Sequence, residues 1–139
     1  MPAKQIPVIL VSGTEDAVNL MPSCLGVTNR VSAQEVIERR GALRGRAEVA
    51  VVDIGSTDRR CAVISALLLR NAGRTAVLCA LDAIPTDLIR DVHEFSRRIR
   101  ASKRPLKTEV LFMEEAMKAF GDVSDVVAVF ERDFLPPSA

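Results

Sequence analysis

The sequence predicts an α/β fold in which a five-stranded parallel sheet is wound on both faces by helices, a three-layer sandwich. Two observations predict it. Apolar runs at 8–11, 49–52 and 76–81 are short and continuous rather than alternating, which suits strands buried on both faces. Each run is followed by Gly, Ser or Asp and then by a helical pattern, and that alternation implies parallel strands joined by right-handed crossovers. The 139 residues are enough for one domain with a core and too few for two. The single domain is expected to be structured over about 7–134, with 135–139 a tail or linker stub.

In chain order, the first strand ends near Val11, and a helix is expected at about 15–23, stopped by Pro22. "GVTNRV" (26–31) reads as the second strand. "SAQEVIERR" (32–40) reads as a helix, with Ser32 and Glu35 as a capping box. The third strand, 49–52, runs into Asp53, and "RRCAVISALLLRNAG" (59–73) has helix composition with a C-terminal signal at Asn71-Ala72-Gly73. After the fourth strand comes a long fourth helix, 85–102. Its residues Leu88, Val92, Phe95 and Ile99 share one face, with Arg90, His93, Arg97, Arg100 and Arg104 opposite, and Pro105 stops it. "TEVLFM" (108–113) is the fifth strand. One last helix is expected from near Glu114, with the stripe Ala116, Phe120, Val123, Val127, Phe130 and Phe134; "DVVAVF" as a sixth strand is the less favoured reading.

Composition excludes several function classes. Hydrophobic residues at 48% and charged residues at 27% describe a soluble globule, and a net charge of +1 gives no bulk attraction to nucleic acid or membrane. Without Trp or Tyr, and with five Phe, the chain lacks a stacking platform for single strands. Cys24, Cys61 and Cys79 are odd in number and widely spaced, which fits a reducing compartment and neither zinc nor a disulfide framework. Cys61 and Cys79 read as small buried hydrophobes. The apolar runs are too short to span a bilayer, and "MPAKQIPVILVSG" is unlike a secretory signal, so a cytoplasmic location is expected.

One stretch stands apart. "EVAVVDIGSTD" (48–58) puts Asp53 at the carboxyl end of a buried strand, where open parallel sheets bind ligands. Asp53 is either the cap of the next turn or a site. Enzymatic chemistry is not expected: "VSGTED" is no phosphate loop, and no His or Cys stands beside a plausible acid.

Over residues 7 to about 134 the pattern resembles the receiver domain of bacterial two-component response regulators, the CheY-like variant of the flavodoxin-like fold. "VVDIGSTD" resembles the phosphoacceptor strand and its loop, so the resemblance puts Asp53 in the phosphoacceptor position. "AVLCALDA" (76–83) resembles strand four, with Cys79-Ala80 where receivers carry Thr or Ser followed by Ala. Receivers also carry two acids after strand one to hold Mg²⁺, and a Lys ending strand five. Here Ser12 and Gly13 stand at the first place, with Glu15 and Asp16 opening the next helix, and Met113 and Glu114 at the second. Phosphoryl transfer needs charge neutralised on the equatorial oxygens, chiefly by metal and lysine. The resemblance therefore implies a pseudo-receiver with no catalytic residue, no cofactor and no metal site. A regulator phosphorylated at Asp53 is the alternative within the family.

"SRRIRASKRP" (96–105) contains five cations and no acid, in a segment extended relative to the family. Arg90, Arg97, Arg98, Arg100, Lys103 and Arg104 are the candidate anion-binding residues, as Arg suits phosphate and carboxylate; a solvated helix face is the bland reading. The expected partner is another signalling protein, a kinase, regulator or output domain in a phosphorelay, docked on the face of helix four, strand five and helix five. A cyclic dinucleotide such as cyclic di-GMP on the arginines is the alternative. Phe130 and Phe134, at the far end of the stripe, are expected at an interface with a partner or a second copy. Neither DNA nor membrane is expected as a partner.

Overall fold

A computed structural model describes residues 5–21, 25–81, 110–112 and 114–135. Strands β1 (Ile6–Val11), β2 (Leu25–Val31), β3 (Val49–Asp53), β4 (Thr75–Cys79) and β5 (Val110–Phe112) pair in parallel in the order β2-β1-β3-β4-β5. The α/β class and the parallel sheet are thus as the sequence leads one to expect. β5 is a three-residue ladder at the edge. β3 lies at the centre, flanked by β1 and β4, and Asp53 is its last residue, paired in register with Cys79.

Successive strand residues face opposite sides of the sheet. Ile9, Val11, Ala50, Val52, Ala76 and Leu78 pack into one apolar cluster, and Val8, Leu10, Val51, Val77 and Cys79 into the other. Both sets are buried, which is why the runs are continuous in sequence. The first cluster takes in α1 (Ala33–Glu38), α2 (Arg59–Asn71), α3 (Glu114–Phe120) and α4 (Ser124–Phe134), through residues such as Val36, Leu69, Ala116 and Phe130. On the other side the described residues supply Ala17, from a 3₁₀ helix (Glu15–Leu20), together with Leu25 and Leu81.

Local signals account for the helix ends. The Ser32 hydroxyl accepts the Glu35 N–H at 3.1 Å, half of the expected capping box. The Glu35 carboxylate instead lies 3.8 Å from Arg39. Asp58 caps α2 by accepting the Cys61 N–H at 2.9 Å, and that bond holds its carboxyl below the usual range. Both α1 and α2 end in paired C-terminal bonds. Gly41 N–H reaches Val36 C=O and Arg40 N–H reaches Ile37 C=O; Arg74 N–H reaches Leu69 C=O and Gly73 N–H reaches Arg70 C=O. Arg40 occupies the left-handed position of the first motif, with φ 53°.

Three expectations need correction. The first helix is a 3₁₀ segment, Glu15–Leu20, rather than an α-helix over about 15–23. The single last helix is two, α3 and α4, and the "DVVAVF" stretch falls in the second. Gly121, at φ 60°, closes α3 with its N–H on Met117 C=O, and Asp122 Oδ1 then accepts the Ser124 N–H at 3.0 Å to start a new helix. Arg59, at the start of α2, fixes this break: it donates to Phe120 C=O, Asp122 C=O and both Asp125 carboxylate oxygens. The bonds with Arg59 hold Asp125 below the usual carboxylate range, and Asp125 raises Arg59 in turn. The third correction concerns Phe130, which is 1% exposed in the core shared with α2 rather than at an interface. Phe134 is half-buried and stacks on it at 6.0 Å between centroids, with the Arg40 guanidinium 5.5 Å over its ring.

Among the described residues no helix is long and apolar enough to cross a membrane.

Candidate functional site

Parallel strands β1 and β3 end side by side, so the loops after Val11 and Asp53 meet at the carboxyl edge of the sheet. Asp53, 5% exposed, lies between them. Its Oδ1 accepts the Gly55 N–H at 3.0 Å, a turn that folds the loop back over its own strand. Its Oδ2 accepts two hydroxyls, Ser56 Oγ at 2.7 Å and Ser12 Oγ at 3.2 Å. The two hydroxyl oxygens are themselves 3.0 Å apart. Gly13 N–H donates to Ser56 Oγ at 3.0 Å and Thr14 N–H to Ser12 Oγ at 3.3 Å. Asp53 is therefore held in a ring of neutral donors contributed by both loops.

The ring is close-packed. A Cβ on Gly13 would lie 2.6 Å from the Ser56 carbonyl oxygen, so only glycine lets the first loop approach the second. Ser12 is fully buried, with its N–H on Val31 C=O at 2.9 Å. Its carbonyl accepts from Arg30 Nη1, also at 2.9 Å, and Glu15 lies 3.9 Å from that guanidinium. Beside the ring is a hollow of about 160 Å³ lined by Thr14, Leu20, Asp53, Gly55 and Ser56.

Whether this donor set fits Mg²⁺ follows from the bonds. The ion binds through one or two carboxylates and keeps several waters in near-octahedral geometry. Here both oxygens of the single carboxylate already accept hydrogen bonds, and the Ser12 carbonyl faces a guanidinium. Among the described residues no three His, Cys, Asp or Glu side chains gather where they could hold a metal ion. The described residues do not fit the metal. Among the described residues Asp53 has no ion-pair partner either.

Cys79 is 3% exposed and its carbonyl accepts the Ile54 N–H at 3.0 Å, so it ties the Asp53 loop through backbone. Cys61 is half-buried, and burial pushes its thiol up, which suits a packing role rather than a reactive one. Arg90, Arg97, Arg98, Arg100, Lys103 and Arg104 lie outside the described residues, as do Cys24 and Met113. Sequence reasoning missed Ser56. The signal was present in "DIGSTD", where an Asp is followed by Gly at i+2 and Ser at i+3.

The chain matches no family model, no curated protein and no solved structure.

Proposed function

We propose that this chain is a pseudo-receiver: a non-catalytic signalling module of CheY-like fold that works by binding another protein, without phosphorylation of Asp53. The observation that carries the reading is the hydroxyl ring. A phosphoacceptor carboxylate must offer an oxygen as nucleophile and have cations near it to neutralise the incoming phosphoryl oxygens. Asp53 has the expected place at the end of the central strand, but its oxygens accept from neutral groups, Ser12, Ser56 and Gly55, and among the described residues no cation pairs with it. Ser12 stands where a receiver's metal-binding acid would be, and its hydroxyl restrains the carboxylate.

The docking face of this reading is the one that includes the last helices. Met117 is 61% exposed there, beside a hollow of about 350 Å³ lined by Met117, Gly121, Asp122 and Val123. An exposed methionine beside a concave, mainly apolar surface suits a protein partner.

Beryllofluoride with Mg²⁺ mimics an aspartyl phosphate and tests the reading. Added to the ¹⁵N-labelled chain, it is expected to leave the amide resonances of Gly13, Gly55 and Ser56 unmoved. Shifts at these three amides that are absent from Asp53→Asn would mean that the site accepts a phosphoryl group.

A further inference from the structure

The opposite, amino-terminal edge of the sheet carries a second concentration of chemistry. Residues 39–46 read "RRGALRGR", four arginines with no acid among them. Two of the four are engaged. Arg39 lies 3.8 Å from Glu35, and Arg40 covers the Phe134 ring. Arg44 and Arg46 are exposed and, among the described residues, have neither a hydrogen bond nor an ion pair.

The backbone that carries them is fixed by a fifth arginine. Arg74, just before β4, donates to three carbonyls of the loop: Ala47 at 3.0 Å, Leu43 at 3.1 Å and Gly45 at 2.9 Å. Thr75 N–H adds a bond to Glu48 C=O at 2.8 Å. Carbonyls of alternate residues are thus drawn to one guanidinium, and Arg44 and Arg46 are the residues between them. Gathering like charge costs stability unless an anion answers it. A loop already ordered also removes part of the entropy cost of binding.

Next to Arg46 is a hollow of about 310 Å³ lined by Pro7, Arg46, Glu48 and Val49. Two of its lining residues are apolar, Pro7 and Val49, and two are charged, Arg46 and Glu48. Apolar and charged residues side by side suit a protein partner, whose interfaces combine both. A phosphate backbone would gain nothing from Pro7 or Val49.

We propose that the 42–48 loop is a docking site for a protein segment that seats one apolar side chain in this hollow and places carboxylates on Arg44 and Arg46. The site is at the far end of the strands from Asp53 and does not rest on the pseudo-receiver reading.

The test is selection of random peptides displayed on phage against the full chain, followed by fluorescence anisotropy of the selected peptides, with a short DNA duplex as a second probe. The selected peptides are expected to carry Asp or Glu close to a Leu, Ile or Phe. An Arg44→Glu/Arg46→Glu variant should bind them at least about ten-fold more weakly, and added salt should weaken the wild-type complex. Both positions are exposed and lie in a cluster of like charge, so the variant should melt no lower than wild type. The proposal is overturned if no peptide is selected, if the selected peptides lack acids, if the variant binds them as well as wild type does, or if the duplex binds more tightly than any peptide.

Discussion

Ser12→Asp is expected to lower the melting temperature by about 10 °C at neutral pH in a chelator, and millimolar Mg²⁺ is expected to restore most of the loss. Ser12 is fully buried, and its Oγ lies 3.2 Å from Asp53 Oδ2. A carboxylate in its place sets two like charges side by side with no ion-pair partner on Asp53 among the described residues. Such a pair costs about 3 kcal/mol, by repulsion and by the desolvation of the second charge. Two carboxylates are also what Mg²⁺ needs and the wild-type ring does not provide. Ser12→Ala is the control: it should cost about 1 kcal/mol for the lost hydrogen bond and show no response to Mg²⁺. Thermal melts of the two variants, with and without the metal, check this. If Ser12→Asp melted like wild type, or ignored Mg²⁺, the loop would not hold Ser12 against Asp53 as described.

A second large effect is expected at Gly41. Its φ is +80°, and a Cβ there would lie 2.5 Å from the Leu68 carbonyl oxygen and 2.8 Å from its carbon. These are backbone atoms of α2, so no side-chain rotation relieves the clash. Gly41 N–H also closes the end of α1 on Val36 C=O at 2.9 Å. Gly41→Ala must therefore move α1 away from α2, breaking the packing of Val36 and the bond from Ser65 Oγ to Ala33 C=O. The expected cost is about 3–5 kcal/mol, from backbone strain and overpacking together. Urea denaturation should show the fall in midpoint with an unchanged slope.

How much of this was legible in the sequence differs from element to element. The strands were legible because burial on both faces leaves an unbroken apolar run, as in 50–52 and 76–79. Helix ends with local chemistry were also legible: Ser32 accepts from Glu35, and Gly73 follows α2. The break at Gly121 was not, because Phe120 and Val123 keep a helical spacing across it. What stops the helix is the Asp122–Ser124 turn and the reach of Arg59 from a segment 63 residues away. Phe130 was misassigned for a related reason. An amphipathic stripe says that a face is covered, not by what, and here α2 covers it.

The same limit applies to the site. Asp53 could be found from its strand, since its position depends on a local pattern. The ring around it could not, because Ser12 is brought to Asp53 from 41 residues away and to Ser56 from 44. Arg39 and Arg40 close the stretch that reads as a helix, and nothing local marks Arg44 and Arg46 as a site. Only the reach of Arg74 to carbonyls at separations of 27 to 31 residues makes the 42–48 loop a fixed ledge.

The central claim is that Asp53 is a restrained carboxylate and not a phosphoacceptor. The most direct measurement is the intact mass of the chain after incubation with acetyl phosphate and Mg²⁺, taken beside Asp53→Asn. The account predicts an unchanged mass for both proteins. A gain of one phosphoryl group in the wild type, absent from Asp53→Asn, would contradict it.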